Sequence, residues 1–402
     1  MWVQPQLQAP GVTRRVLLGS LAALLTGCSG SGPEQVTGAL PRRLVRFPGK
    51  DALYLLTDRP PQLETPVKYF AHDLTPNSAF FVRWHLSGVP TSVDLQSFRL
   101  HVKGHVGRNL SLTVDELRRR FEPVSVVALN QCSGNSRGLF EPRVTGGQWG
   151  HGAMGNARWT GVRLRDLLQA AGIRSGAVEV SFRGLDAAPA PGVPAYVKTL
   201  QLDKAQDEDV LVAYAMNDEP LPLLNGFPLR LVVPGWYATY WVKALTEIEV
   251  LAEPFQGFWM SKAYRIPNNP NGIEAPDQLA QDLVPITRIC IHSIFVKPES
   301  GERLPVGKAI ALEGVATDGG GDINLVEVST DGGANWEPAA LDASLGRYSW
   351  RRWRHSWTPP RAGAYTLMVR ASNAAGETQQ QHHWNRSGYM RQVVESIQVK
   401  AG

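Results

Sequence analysis

The chain has 402 residues, 43% of them hydrophobic, which predicts a globular protein with two or three domains rather than one small core. Its 41 Lys and Arg against 36 Asp and Glu give a net charge of +5, with no basic run interleaved with aromatic residues. This pattern argues against a nucleic-acid-binding protein and favours a small anionic substrate or an acidic protein partner.

Residues 1–28 are predicted to be an export signal. Arg14 and Arg15 precede an apolar run over residues 16–25 that is too short to span a bilayer, and the pair resembles a twin-arginine signal. The string LTGC at residues 25–28 also resembles a lipoprotein cleavage box. Cys28 is therefore either a lipidated first residue, anchoring the protein to a membrane, or is removed by cleavage further on. Both alternatives predict a periplasmic or otherwise exported protein.

The next segments predict an arm followed by a strand. Residues 29–64 are rich in Gly, Ser, Pro and Arg, which is typical of a tether and an extended arm. Residues 77–86 (NSAFFVRWHL) predict a strand with Arg83 and His85 on one face. That pair could bind an anion, or it could be solvated, and the pattern alone leaves both interpretations open.

Two short helices are predicted. A capping box at residues 113–116 opens a helix that ends before Pro123. Residues 160–171 carry apolar side chains at near-helical spacing up to Gly172, a typical end for a helix.

Between these helices lies Cys132, one of three cysteines. An apolar strand over residues 124–129 ends in the turn formers of residues 130–135, which leaves the thiol at the end of the strand. Arg137 and Arg143 follow, and nearby cations favour the thiolate, a soft metal ligand. Free cysteines are also often small buried hydrophobic residues, so the spacing alone leaves both interpretations open.

From about residue 285 the pattern changes to short alternating strands separated by Gly, Asp and Asn turns, which predicts a β-sandwich. The predicted strands are residues 289–296, 309–316, 323–329, 365–372 and 393–399. Cys290 lies in the first of them and is expected in the core. No CxxCH occurs, so the chain is expected to attach no c-type haem.

Four strings carry a resemblance to a known family. NQCSGNSRG at residues 130–138 resembles the molybdenum-binding segment of the sulfite oxidase family. FFVRWH at residues 80–85, GFPLRLVVPG at 226–235 and AYRIP at 263–267 are similar to the same family, and the resemblance covers the chain from about residue 46 to its end. It implies an α+β fold with a molybdopterin-binding catalytic domain over residues 65–284. An immunoglobulin-like β-sandwich over residues 285–402 would then form a homodimer.

The resemblance also implies an activity and a site. The activity is oxidation of sulfite to sulfate at an oxo-molybdenum pterin centre, with electrons passed to a cytochrome c or another external acceptor. Cys132 would ligate molybdenum, Arg83 and Arg137 would bind sulfite, Trp149 would wall the pocket, and His85 and Tyr264 would orient substrate and water. The implied cofactor contacts are Phe81, Val82, Arg83, Trp84, His85, Cys132, Asp186, Asn225, Arg230, Trp241, Val242 and Lys243.

Without the resemblance, several of these residues have ordinary structural explanations. Asp186 would be a turn residue, Arg230 a neutralised structural arginine and Tyr264 a buried aromatic residue. Two other functions also stay open. A related molybdenum reductase, acting on nitrate or a sulfoxide, would share the thiolate and the pterin contacts. A lipid-anchored binding protein without enzymatic activity would hold no molybdenum.

Overall fold

The computed structural model describes residues 42–402. The predicted export signal, the predicted lipidation site at Cys28 and residues 29–41 of the predicted tether and arm lie outside these residues. Within residues 42–402, no helix is both long and apolar enough to cross a membrane.

The prediction of an α+β fold is wrong, because the described chain is mostly β. Its α-helices are Val114–Arg120, Leu164–Ala171, Leu202–Ala205 and Phe258–Ser261, and its 3-10 helices are Val67–Ala71, Arg137–Leu139, Leu223–Asn225 and Ala238–Tyr240. Both predicted helices are present, although the second begins only at Leu164, because residues 160–163 belong to the strand Met154–Arg163. Thr113 caps the first with both hydrogen bonds of a capping box, and Gly172 ends the second in the left-handed region. Within residues 42–402 no α-helix exceeds eight residues, so strands dominate this part of the fold.

Between residues 42 and 286 the structure contains four sheets. In sheet order, the first sheet consists of Leu44–Arg46, Ala52–Asp58, Pro61–Glu64 and Val82–Arg83, and the second of Val197–Gln201, Glu179–Gly184, Leu245–Leu251, Leu100–Gly104 and Leu110–Leu112. The third consists of Glu219–Pro220, Leu211–Met216, Met154–Arg163 and Val124–Gln131, with Arg230–Val232 also paired to Leu211–Met216, and the fourth of Arg265–Pro267 and Leu283–Pro285. Only Leu245–Leu251 and Leu100–Gly104 run parallel among these pairs.

The third sheet places Cys132. Val124–Gln131 pairs antiparallel with Met154–Arg163, from Val124 opposite Gly161 to Gln131 opposite Met154. The strand is partly exposed where it starts and fully buried over its last four residues. The strand therefore runs into the interior, and Cys132, the residue after Gln131, lies at its buried end.

The predicted strand over residues 77–86 is largely wrong, since only Val82–Arg83 pairs. This short strand pairs with Pro61–Glu64 at the edge of the first sheet. The flanking residues form turns, which the apolar alternation did not reveal.

The region after residue 286 consists of two sheets. In sheet order, their strands are His292–Lys297, Ile310–Thr317, Arg351–Trp357 and Ala340–Leu341 in one, and Arg303–Leu304, Glu395–Ala401, Gly363–Asn373, Ile323–Ser329 and Glu337–Pro338 in the other. Leu312 and Trp353 of the first sheet share a buried core with Val326, Leu367 and Val399 of the second. All five predicted strands are present, although Arg351–Trp357 was missed, and the immunoglobulin-like topology stays a prediction.

Glu64, at the end of Pro61–Glu64, anchors the glycine-rich segment that follows Trp149. The buried carboxylate accepts hydrogen bonds from the backbone N–H groups of Gly150 (2.9 Å) and Gly152 (3.1 Å) and pairs with Arg42. Gly152 itself has no room for a side chain, because a Cβ there would meet the carbonyl oxygen of Thr65 at 1.9 Å.

We expect Glu64→Ala to lower the free energy of unfolding by about 3 kcal/mol, because two buried donors lose their acceptor and Arg42 loses its partner. Urea unfolding measures this change. Glu253→Ala, at an exposed position, is the matched control and should change stability by less than about 0.5 kcal/mol. Equal stability of the two variants would contradict this role of Glu64.

Candidate active site

A cavity opens at the inner end of strand Val124–Gln131. It is lined by Phe81, Arg83, His85, Asn130, Cys132, Ser133, Leu224, Asn225, Arg230, Ala238, Thr239, Lys243 and Tyr264. These residues come from segments that are distant in sequence. The cavity is therefore a product of tertiary packing.

Cys132 lies in the wall of this cavity with 8% of its surface exposed. Its N–H donates to the carbonyl oxygen of Ala153 (2.9 Å), and its own carbonyl accepts from the N–H of Asn135 (3.0 Å), so the backbone on both sides is held. A cysteine that merely fills an apolar core would have apolar neighbours. Here polar and cationic groups share the cavity with the thiol, which supports the interpretation of Cys132 as a ligand.

Positive charge is concentrated around the thiol. Arg83, Arg230 and Lys243 line the same cavity. Burial lowers the pKa of Arg230 to about 9, and burial together with the charge of Arg230 lowers the pKa of Lys243 to about 7. Asp186 lies behind the lining near Lys243, and burial raises the pKa of its carboxyl group. Cations held this far from water indicate a site built for an anionic ligand.

Several polar atoms in the wall also lack a hydrogen-bond partner. They are Asn130 Nδ2, Ser133 Oγ and Arg230 Nε, all buried and all from lining residues. Buried polar atoms are almost always paired in folded proteins, so unpaired atoms around one cavity indicate a missing polar ligand. The donors, the cations and the thiol together fit a ligand that carries phosphate, a hydrogen-bonding ring system and a soft metal.

His85 and Tyr264 form a hydrogen-bonded pair at the cavity, between His85 Nε2 and the Tyr264 hydroxyl. The His85 ring stacks on Tyr196 with 3.6 Å between centroids. Burial and the charges of Arg83 and Lys243 hold the pKa of His85 well below its usual range, so the imidazole is neutral. Tyr264 has a φ of +59°, a left-handed conformation that is uncommon outside glycine and clusters at functional sites.

Arg137 and Trp149 do not line the cavity. Arg137 begins the 3-10 helix Arg137–Leu139, and its guanidinium lies 4.9 Å from the centroid of the Tyr389 ring. Tyr389 in turn stacks on Tyr264. Trp149 is 1% exposed, and its carbonyl oxygen accepts from the N–H of Gly138 (2.8 Å), which fixes the segment behind Arg137.

The other predicted cofactor contacts divide into two groups. Phe81, Asn225, Arg230 and Lys243 line the cavity, as do Arg83, His85 and Cys132, whereas Val82, Trp84, Asp186, Trp241 and Val242 lie buried behind that lining. Some of the second group support the first. The Lys243 ammonium lies 4.9 Å from the Trp84 ring centroid, and the Arg230 guanidinium lies 5.7 Å from the Trp241 ring centroid.

The sequence did not single out several residues of the site. Asn130 and Ser133 lie in the same motif as Cys132, so their position in the sequence could have predicted that they line the cavity. Lys50 was not foreseeable: it lies in the predicted arm, is 6% exposed, and donates to the carbonyl oxygens of Asn77 (2.7 Å) and Phe80 (3.0 Å) while contacting Asn225. Tyr389 gave no local signal either.

Two family models match the chain. The oxidoreductase molybdopterin binding domain matches residues 85–259, and the Mo-co oxidoreductase dimerisation domain matches residues 284–401. The cavity residues from His85 to Lys243 fall within the first match.

Named relatives agree with these matches. The chain is 36% identical to the mitochondrial sulfite oxidase of Homo sapiens over 339 residues, covering 81% of this chain and 60% of that protein. It is 36% identical to the sulfite oxidase of Gallus gallus over 337 residues, covering 81% of this chain and 71% of that protein. The NAD(P)H nitrate reductase of Hordeum vulgare is 31% identical over 365 residues, or 84% of this chain and 41% of that protein. The chain thus spans only 56–60% of the length of the mammalian relatives.

The fold also resembles a solved structure. The crystal structure of the sulfane dehydrogenase SoxCD from Paracoccus pantotrophus superimposes with a TM-score of 0.74 at 24% identity, covering 91% of this chain and 92% of that chain. At this identity the likeness concerns the fold.

The buried Lys243 predicts a pH dependence of stability for protein produced in a host that cannot make the cofactor. Its pKa of about 7 in the fold lies below the ordinary value of 10.5, so the unfolded chain binds more protons between these pH values. Stability should therefore rise with pH from about 7 upward, by up to about 1 kcal/mol per pH unit from this residue.

Urea unfolding between pH 7.5 and 9.5 measures the effect. We expect Lys243→Met to lose that part of the slope, while Lys262→Met, at an exposed position, should keep the wild-type slope. A Lys243→Met variant with an unchanged slope would show that Lys243 keeps its ordinary pKa.

Proposed function

Because this chain belongs to the sulfite oxidase family of molybdenum enzymes, we propose that it oxidises sulfite to sulfate and passes the electrons to a cytochrome c. The observation that carries the proposal is the cavity in which the Cys132 thiol, three cations and the His85–Tyr264 pair meet. The 36% identity to sulfite oxidases over about four-fifths of the chain supports the choice of substrate.

The cofactor is a molybdenum–molybdopterin group, and this chain's residues fit it. Cys132 supplies a thiolate for the metal, since soft sulfur ligands suit such a centre. Arg230 and Lys243 supply positive charge for the phosphate, and Asn130, Ser133 and Asn225 supply polar atoms for the pterin. When bound, the cofactor supplies a two-electron oxidant that transfers oxygen.

Arg83 and Arg137 attract and hold the anionic substrate in this proposal. Arg83 faces the cavity directly, with one guanidinium nitrogen already donating to the carbonyl oxygen of Trp84 (2.9 Å). Charge-assisted hydrogen bonds from arginine suit the oxygens of sulfite. Arg137 does not line the cavity but lies on the Tyr389 ring, which stacks on Tyr264, so it would act on the substrate from the side of Tyr264.

His85 and Tyr264 form a hydrogen-bonding pair at the cavity. The imidazole is neutral because its pKa is lowered, and the phenol stays protonated because burial raises its pKa, so one group can accept a hydrogen bond that the other donates. The pair is thus suited to orient a bound substrate or a water molecule in the cavity by hydrogen bonds.

The organisation of the whole protein follows the same proposal. The catalytic domain would span residues 65–284, and residues 285–402, as an immunoglobulin-like sandwich, would form a homodimer, which the match to a dimerisation domain supports. The twin-arginine pattern supports export to the periplasm, and Cys28 would anchor the enzyme if it is lipidated.

The barley relative favours one second candidate, reduction of nitrate. It would use the same thiolate, cations and cofactor with oxygen transfer in the opposite direction.

The first test is molybdenum content combined with sulfite-dependent reduction of cytochrome c, on protein made by a host that synthesises the cofactor. We expect about one molybdenum per chain and rapid cytochrome reduction. Cys132→Ser should abolish turnover, whereas Cys290→Ser, at the other buried cysteine, should retain molybdenum and activity. Molybdenum with nitrate turnover and none with sulfite would favour the reductase. Protein without molybdenum would contradict both.

A second test concerns Arg137. We expect Arg137→Met to raise the sulfite KM by about tenfold or more through loss of a charged contact, with a smaller effect on kcat. Arg143→Met is the matched control, because Arg143 lies in the same segment but bonds to Gln148. An unchanged KM in the Arg137 variant would remove Arg137 from the substrate site.

A further inference from the structure

Residues 384–391 lie within the match to the dimerisation domain, yet they hold the segment that carries Arg137. Trp384 Nε1 donates to the carbonyl oxygen of Pro142 (2.8 Å), and Arg391 donates to the carbonyl oxygen of Leu139 (2.8 Å). Arg137 Nε donates to the carbonyl oxygen of Ser387 (3.1 Å). The C-terminal region therefore contacts the 3-10 helix of Arg137 on several sides.

The Tyr389 side chain contacts both Arg137 and Tyr264. Its ring is nearly parallel to that of Tyr264, at 6° with 5.8 Å between centroids. On the same ring the Arg137 guanidinium lies 4.9 Å from the centroid, within the range of a cation–π interaction. One aromatic ring thus sets the position of Arg137 relative to Tyr264.

The backbone of Tyr389 is fixed by Asn385, which is fully buried. The Asn385 side chain accepts from the Tyr389 N–H (3.1 Å) and donates to the Tyr389 carbonyl oxygen (2.9 Å). Arg386 is bound to the buried carboxylate of Glu274, with a shortest distance of 2.6 Å. This ion pair connects residues 384–391 to Glu274, and Arg386 does not line the cavity.

An aromatic ring holds an arginine in a way that a carboxylate cannot. The Arg137 guanidinium donates to the backbone oxygens of Ser387 (3.1 Å) and Gly147 (3.5 Å), and within residues 42–402 it has no carboxylate partner. The face of the Tyr389 ring attracts the cation without neutralising it. Arg137 is held in place and keeps its charge available for an anion.

We propose that Tyr389, contributed by the C-terminal domain, is a positioning residue that holds Arg137 for oxyanion binding. This inference rests on the proposed function for the identity of the substrate. The interaction is made by the face of the aromatic ring, so phenylalanine can replace Tyr389 whereas leucine cannot. A purely structural role would instead lower stability without changing the affinity for anions.

The test compares Tyr389→Leu and Tyr389→Phe in the molybdenum-loaded protein. Calorimetric titration with sulfate gives a Kd that does not depend on turnover, and steady-state kinetics with sulfite give KM and kcat. We expect Tyr389→Leu to raise the sulfate Kd and the sulfite KM about tenfold, with kcat changed less, and Tyr389→Phe to stay within about twofold of wild type.

Tyr365→Leu is the matched control for the loss of a tyrosine ring. Its ring lies 4.9 Å from that of Trp357 in the sandwich, and its sulfate Kd should equal that of wild type. Wild-type affinity in Tyr389→Leu, an equal loss in Tyr389→Phe, or a wild-type protein that does not bind sulfate would each overturn the inference. A wild type that binds sulfate but does not oxidise sulfite would refute the proposed function alone. In that case the sulfate Kd of the variants still tests whether Tyr389 positions Arg137.

Discussion

The cavity beside Cys132 places positive charge where water barely reaches, and the rest of the site depends on this constraint. A buried cation without an anion costs several kcal/mol, which is why the pKa values of Arg230 and Lys243 fall so far. Besides the Asp186 carboxyl near Lys243, the protein distributes this cost over aromatic faces and backbone oxygens. Trp84 lies under Lys243, and Asn225 accepts from Arg230. The site thereby stays positive enough for a cofactor with a phosphate and for an anionic substrate.

Local sequence patterns predicted the parts of the molecule whose structure is decided locally. The capping box at Thr113, the C-terminal glycine at Gly172 and the strand that ends before Cys132 are all present, because each depends on neighbouring residues. The five alternating strands of the C-terminal region are also present. The α+β assignment came from the family resemblance and was wrong, because the α-helices of the described residues have at most eight residues among many strands.

Local sequence patterns could not predict the tertiary contacts of the site, for a physical reason. Arg83 and His85 line the cavity although their segment is mostly turns, so the face that they share is not set by a strand. Lys50 reaches Asn225 across 175 positions of sequence, and Arg137 meets Ser387 across 250. Contacts at such separations are decided by packing of whole sheets, and no local pattern records them. The family motifs located Arg137 and much of the cavity lining, but not Lys50, Ser387 or Tyr389.

The span of these contacts has a consequence for the order in which the protein matures. Lys50 supports the cavity from near the start of the described chain, and Tyr389 supports it from near the end. Contacts of such high order form late in folding, after the loops between them have closed. The chain up to Tyr389 must therefore leave the ribosome before the complete cavity can form. The C-terminal region reaches the cavity through the contact of Tyr389 with Tyr264, so exchanging that region for a homologous module would disturb the cavity as well.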